Sequence, residues 1–320
     1  MRLALIGYGN VGRAFARLLQ AQRKAYPFRI VGIQTRRHGA AIDPAGLPED
    51  PRFDLQFASA GEFLDRARPE VMVELTTLNP ATGEPAISHI RAAFERSTHV
   101  VTANKGPIAH AYATLAAEAR RAGVEFRFES TVMDGAPVFN LVRNTLPGCR
   151  ILGFTGVLNS TTNVVIEALS AGRTLEEGIE EARRLGITEA DPSFDIDGWD
   201  AAAKTAALAN VLLNAGMTPL DVDRRGIGRL TPEKMASVKA QGKTIRLVSR
   251  ARTSPAGVKL RVRAEVIEQT DVLAAARGTS SLVLFETDLM GTVGTVEIAP
   301  GVDQTAYGVF SDLVDIARTL

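Results

Sequence analysis

Apolar residues in the first third of the chain follow two alternating rhythms. Short apolar or β-branched runs at 3–6, 30–33, 71–75, 99–101 and 124–128 lack polar alternation, which predicts strands buried on both faces. Between them, residues 11–22, 85–95 and 109–122 repeat apolar positions at helical spacing. Strand and helix in that order predict crossover connections, and so a parallel sheet covered by helices.

The rhythm changes near Val132. A helix is predicted at 137–145, then a turn at Pro147-Gly148 and a strand at 151–157. Further helices are predicted at 162–169, 175–185 and 199–213. Thr174 with Glu177 has the spacing of a capping box, and Gly186 that of a C-terminal stop. Alternating segments at 244–252 and 258–266 flank Thr253-Ser254-Pro255-Ala256-Gly257 and predict a hairpin. The expected fold class is therefore α/β, with a doubly wound parallel-sheet domain followed by a second, α+β domain.

Composition narrows the picture. A chain of 320 residues has the length of two domains, each able to bury a core. With 37 Lys+Arg against 36 Asp+Glu there is no basic surplus to hold nucleic acid. A single cysteine, Cys149, excludes an intrachain disulfide and any multi-cysteine metal site. The apolar runs are too short to cross a bilayer, and Gly7 and Gly9 interrupt the first one before it could serve as a signal peptide. A cytoplasmic protein with no nucleic-acid or membrane partner is expected.

Gly7-Tyr8-Gly9-Asn10-Val11-Gly12 is a G-x-G-x-x-G string between a predicted strand and helix. Gly7 permits a tight turn, Gly9 lets the backbone approach a pyrophosphate, and Gly12 lets helix and strand pack closely. This context makes the first domain Rossmann-type. About 20 residues on, where an acid would hold the ribose of NAD, the chain reads Gln34-Thr35-Arg36-Arg37-His38. Two guanidinium groups suit a 2′-phosphate, so NADP is favoured over NAD, although a plain basic loop would read the same.

Acids crowd the segment from Glu189 to Asp200. A calcium loop aligned on Gly198 would put Lys204 where a bidentate Glu belongs, and this excludes it. Capping of the following helix by Asp197, with Asp200 and Lys204 paired one turn apart, accounts for part of the cluster. That helix is otherwise rich in Ala and Leu, so Asp200 and Lys204 would project from a buried surface, a cost that points to a site. Lys105 follows the predicted strand at 99–101, and ligands of open parallel sheets bind at the carboxyl ends of strands. His38, His89, His99 and His110 lack metal-ligand spacing, and no histidine lies near Cys149 to activate it. Arg246, Arg250, Lys259, Arg261 and Arg263 alternate with apolar residues as the wet face of a sheet does.

Together these segments resemble homoserine dehydrogenase. The resemblance runs through the glycine string, Glu74-Leu75-Thr76-Thr77, Thr82-Gly83-Glu84-Pro85-Ala86 and His99-Val100-Val101-Thr102-Ala103-Asn104-Lys105. It continues at Gly156-Val157-Leu158-Asn159-Ser160-Thr161-Thr162-Asn163, at Thr188-Glu189-Ala190-Asp191-Pro192 and from Asp195 to Lys204. It implies the NAD(P)-dependent interconversion of L-homoserine and L-aspartate 4-semialdehyde, a step of threonine and methionine biosynthesis. By the same resemblance, Lys105 and Lys204 are catalytic, with Asp200 beside Lys204. Glu189, Asp195, Ser160 and Thr161 bind substrate. Gly7, Gly9, Asn10, Val11, Gly12, Arg36, Arg37, Thr76, Thr77, Asn104, Lys105 and Gly308 face the cofactor.

The resemblance also implies a monovalent cation, Na⁺ or K⁺, near Glu129 and the backbone of Val132, although Met133-Asp134-Gly135-Ala136-Pro137 departs from the family's small, glycine-rich stretch. It implies a homodimer, and a short form with neither an aspartate kinase nor a C-terminal regulatory domain. The expected layout is a dinucleotide-binding domain at 1–132, completed by a closing helix within 301–320, and a catalytic and dimerisation domain at 133–300. Two competing readings are an aspartate-semialdehyde dehydrogenase, for which Cys149 is badly placed, and a non-catalytic NADP sensor, which has no use for a lysine–acid constellation.

Overall fold

Short buried strands and amphipathic helices do alternate in the first part of the chain. The computed structural model describes residues 1–188 and 191–320, which divide into two units, Met1–Phe139 with Gly301–Leu320, and Asn140–Pro300.

In the first unit, β1 (Arg2–Ile6) leads to α1 (Asn10–Gln22), β2 (Arg29–Thr35), β3 (Gly39–Ile42), α2 (Ala60–Ala67) and β4 (Val71–Glu74). Then come α3 (Ala86–Phe94), β5 (His99–Thr102), α4 (Lys105–Ala122) and β6 (Phe126–Arg127). The sheet order is β3-β2-β1-β4-β5-β6, with every pairing parallel except β2–β3. Leu3, Leu5, Val71, Val73 and Val101 are buried at its centre, as strands covered on both faces require. The C-terminal helix Val302–Thr319 returns to this unit and packs Val309, Phe310 and Leu313 with Ala14, Phe15 and Leu19 of α1 in one core.

Two elements here escape the periodicity argument. Strand β3 holds four small or aliphatic residues, too few to show a period. Helix α2 has only eight residues, and its clearest mark is local: Ser59 Oγ accepts from Glu62 N at 3.1 Å while Glu62 accepts from Ala58 N. Although the sequence pattern turns near Val132, the contacts change hands only after Phe139. The buried Glu129 carboxylate accepts from the backbone N–H groups of Val138 and Phe139, tying those residues to the first unit.

The second unit opens on α5 (Phe139–Thr145), which starts two residues later than the pattern suggests. It contains β7 (Ile151–Val157), α6 (Ser160–Ser170), α7 (Leu175–Arg184), α8 (Ser193–Ile196) and α9 (Trp199–Leu212). Then follow β8 (Asp223–Arg224), α10 (Pro232–Ala240), β9 (Lys243–Ser254), β10 (Gly257–Glu268), β11 (Ser281–Thr287) and β12 (Thr292–Glu297). The sheet order is β12-β11-β7-β9-β10-β8, antiparallel except for β10–β8. The hairpin exists but is tighter than its sequence suggests, because Ser254 pairs with Gly257 and leaves only Pro255-Ala256 in the turn. Helices α6, α9 and α10 pack against β9. The alanines of α9 are buried, as its composition implies.

Candidate active site

The glycine string runs from the end of β1 into the first turn of α1. Gly7 has φ +100°, and a Cβ there would sit 2.5 Å from the Leu75 carbonyl oxygen, so only glycine fits. A Cβ on Gly9 would meet nothing within 4 Å, which leaves the backbone open to a ligand. Helix α1 starts at Asn10 with no side-chain cap and no acid in its first turn, the arrangement that receives an anion. Gly12 faces Gly7 O at 3.2 Å, measured from the position of an added Cβ. A dinucleotide pyrophosphate fits this cradle. A groove of about 1100 Å³ runs along α1, lined among others by Tyr8, Arg13, Arg17 and Phe53.

Arg36, Arg37 and His38 form the exposed turn of the β2–β3 hairpin. Thr35 closes that turn, donating from Oγ1 to Gly39 O at 3.1 Å and accepting from His38 N at 3.0 Å. The missed strand thus explains how two guanidinium groups are held just past the end of β2.

Past β4 and β5 lie the other cofactor-side candidates. Asn104 caps α4, accepting from Gly106 N at 3.0 Å and donating to Thr76 O at 3.1 Å, so Lys105 becomes the first helical residue. Thr77 is exposed, next to Thr76. The backbone N–H of Glu129 donates to Asp312 of the C-terminal helix at 2.8 Å, and Val132 follows immediately after the short helical turn Glu129–Thr131. Gly308 has a packing reason of its own, since a Cβ there would run into Ser130 Oγ. Among the described residues, no group of three or more His, Cys, Asp or Glu could hold a metal ion.

The second unit gathers a tighter cluster. Lys204 Nζ donates to Leu158 O at 2.6 Å and lies 3.3 Å from Asp200 Oδ2. Asn159, the N-cap of α6, accepts from Thr162 N at 2.8 Å. Its amide nitrogen bridges two acids, donating to Asp195 Oδ1 at 2.7 Å and to Asp200 Oδ2 at 2.9 Å. Thr188 Oγ1 donates to the other oxygen of Asp195 at 3.0 Å. Burial, and then the negative charge of Asp200, push the Asp195 carboxyl above its ordinary range, against hydrogen bonds from Asn159, Thr188 and Thr161. Lys204 and its two acids are thus joined through an asparagine to the start of a helix, an arrangement suited to moving a proton beside a bound cation.

The remaining candidates touch this cluster at its edge, as Thr161 does, or stand apart from it. Ser160 Oγ donates to Thr279 O at 3.1 Å, and Thr161 Oγ1 to Ile187 O at 3.1 Å. Asp197 does not cap α9, as its position suggests. Its carbonyl accepts from Arg224, and Gly198, at φ +81°, begins the helix instead. Glu189 lies outside the described residues. Asn159 was missed as a site residue, although an Asn three residues before Thr162 at a helix start carries a capping signal. Buried Glu74 was missed too, because a carboxylate at a strand end leaves no local pattern.

Comparison with known proteins covers nearly the whole chain. The family model for homoserine dehydrogenase matches residues 137–314, and that for the homoserine dehydrogenase NAD binding domain matches residues 7–129. The homoserine dehydrogenase of Methanocaldococcus jannaschii is 35% identical, over 99% of this chain and 98% of its own. The NAD(+)-dependent homoserine dehydrogenase of Pseudomonas canavaninivorans is 34% identical, over 99% and 96%. A hyperthermophilic archaeal homoserine dehydrogenase in complex with NADPH superimposes with a TM-score of 0.84 at 27% identity, over 100% of this chain and 98% of its own.

Proposed function

The chain belongs to the homoserine dehydrogenase family, and from that premise we propose how its own residues carry the reaction and which cofactor they prefer. It is an NAD(P)-dependent oxidoreductase that interconverts L-homoserine and L-aspartate 4-semialdehyde. The observation that carries the catalytic reading is the ammonium of Lys204, set between the Leu158 carbonyl and the Asp200 carboxylate.

A nicotinamide cofactor held by the glycine string would supply or accept the hydride at the substrate carbon that bears the oxygen. Lys204 gives a proton to that oxygen as negative charge grows on it, and takes one from the hydroxyl in the other direction. Asp200 keeps Lys204 oriented, and Asn159 keeps Asp200 in place. Asp195, with Glu189, receives the substrate ammonium. The N–H groups of Ser160 and Thr161, in the first turn of α6, suit the substrate carboxylate better than their hydroxyls, which bond to nearby carbonyls. Lys105 serves the nicotinamide end of the first unit with Thr76, Thr77 and Asn104. Gly7, Gly9, Asn10, Val11 and Gly12 cradle the pyrophosphate.

NADP is the preferred cofactor in this reading, and Arg36 and Arg37 support it, exposed in a turn that Thr35 holds closed. A preference for NAD is the second reading, motivated by the NAD(+)-dependent relative. Titrating NADP⁺ and NAD⁺ with L-homoserine at alkaline pH decides between them. Arg36→Ala with Arg37→Ala should weaken NADP⁺ selectively, by about 1.5–3 kcal/mol per lost charged hydrogen bond. An unchanged NADP⁺/NAD⁺ ratio in that variant would refute the assignment.

The reading also includes a cytoplasmic homodimer, built through the second unit, where Leu289, Met290 and Ile298 are exposed. Glu129 and the Val132 carbonyl, hard oxygen donors, would hold a monovalent cation. Cell fractionation, solution mass and the Na⁺ or K⁺ dependence of the rate test these parts.

A further inference from the structure

Glu74 ends β4 and Thr102 ends β5, and the two stand opposite each other in the parallel ladder. Glu74 is 0% exposed, yet its carboxylate is not needed to join the strands, because Val71 to Glu74 already pair with His99 to Thr102. An apolar residue would join them without the cost of burying charge. The carboxylate is instead spent past the strand ends. Oε1 accepts from Thr76 N at 3.1 Å and from Thr76 Oγ1, and Oε2 accepts from Thr102 Oγ1 at 3.1 Å. Thr102 Oγ1 accepts in turn from Asn104 N at 3.0 Å, and Asn104 donates back to Thr76 O at 3.1 Å. His89 of α3 faces the same carboxylate, with Nδ1 3.6 Å from Oε1.

We propose that Glu74 is a positioning residue, which closes this ring of hydrogen bonds and thereby fixes Thr76, Asn104 and the start of α4 that carries Lys105. The inference rests on the roles proposed above for those three residues. Two bonds of the ring, Thr102 to Glu74 and Asn104 to Thr76, cross between the segments after β4 and β5, and the Glu74 carboxylate holds both segments, so removing it frees them together. Displacement of about 1 Å at a reacting group can cost on the order of a hundredfold in rate.

Glu74→Ala should lower kcat about 10- to 100-fold per binding-competent site, with the KM for L-homoserine nearly unchanged. Glu74→Gln should recover most of that loss. Its oxygen can still accept from Thr76 and its nitrogen can donate to Thr102 Oγ1, whose proton can turn to the Glu74 carbonyl, 3.3 Å away. The fluorescence of bound NADPH supplies a second readout that needs no turnover. It should change in Glu74→Ala and return in Glu74→Gln, so the inference is decided even if L-homoserine proves not to be the substrate. Wild-type kcat and NADPH fluorescence in Glu74→Ala would overturn it. A fall in activity matched by an equal loss of NADPH-binding sites would overturn it as well, because that marks an anchor of the fold.

Discussion

Each unit sets a carboxylate beside its part of the proposed site, Glu74 fully buried and Asp195 half-buried, and the two differ in what surrounds them. Glu74 in the first unit is met by the N–H and hydroxyl of Thr76 and the hydroxyl of Thr102. Asp195 in the second shares the single amide nitrogen of Asn159 with another acid, Asp200. One carboxylate with several donors and no acid beside it acts as a clamp. Asp195, although Thr188 also donates to it, shares the Asn159 amide with a second acid, and burial, then the Asp200 charge, raise its pKa. Such a pair is completed by a cation. Lys204 supplies one, and the ammonium of an amino-acid substrate is suited to supply the other.

The contrast can be broken most forcefully at Lys204. Lys204→Ala should lower kcat by about 10²–10⁴-fold, the usual range for losing a proton donor. Steady-state kinetics, with NADPH titration and melting curves as controls, would measure it. A wild-type kcat would end the assignment of Lys204 as the proton-handling group.

Removing the shared donor comes next. Asn159→Ala takes away both the cap of α6 and the bridge between the acids. A lost cap costs about 1 kcal/mol, and a lost hydrogen bond to a charged group about 1.5–3 kcal/mol. Urea unfolding should show reduced stability, and the KM for L-homoserine should rise. If both stay at wild-type values, the bridge has no role in holding the acids.

The smallest effect should come from Asp195→Asn, and it should carry the less usual sign. Because the folded-state pKa of Asp195 is raised, the folded protein binds its proton more tightly than the unfolded chain does. Its ionisation therefore costs stability as pH rises from the ordinary carboxylate value of 3.8 through the raised one, and that cost persists at neutral pH. The asparagine keeps the size without the charge: its oxygen can still accept from Asn159, and its NH2 can donate to Thr188 Oγ1 in place of the bond received there. Its Tm should exceed that of the wild type at pH 7, with the gain fading below the ordinary carboxylate range. The KM for L-homoserine should rise at the same time. A lower Tm at pH 7 would show that the paired acids are not in conflict.

Much of this was legible beforehand, for reasons that can be stated residue by residue. Gly7 and Gly12 were readable because a tight turn and a close packing contact each exclude a side chain, and Gly9 because a bound pyrophosphate needs the backbone open. The Asp200–Lys204 pair was readable because a helix places residues four apart on one face. The 39–42 strand and 60–67 helix were not, since four and eight residues carry too little periodicity. Asp197 was misread because a cap is decided by backbone geometry, and the left-handed Gly198 took that position.

The order of residues by itself determined most strands and helices of the first unit, where the phosphate-binding turn falls, and that acids gather ahead of a buried helix. Those properties depend on neighbours a few positions away, through periodicity, turn conformation and capping. Tertiary structure alone decided which groups share a proton. Asn159 reaches acids 36 and 41 residues further along the chain, and Thr102 reaches Glu74 across 28. A hydrogen bond forms only within about 3.5 Å, and such separations close to that distance only when sheets and helices have packed.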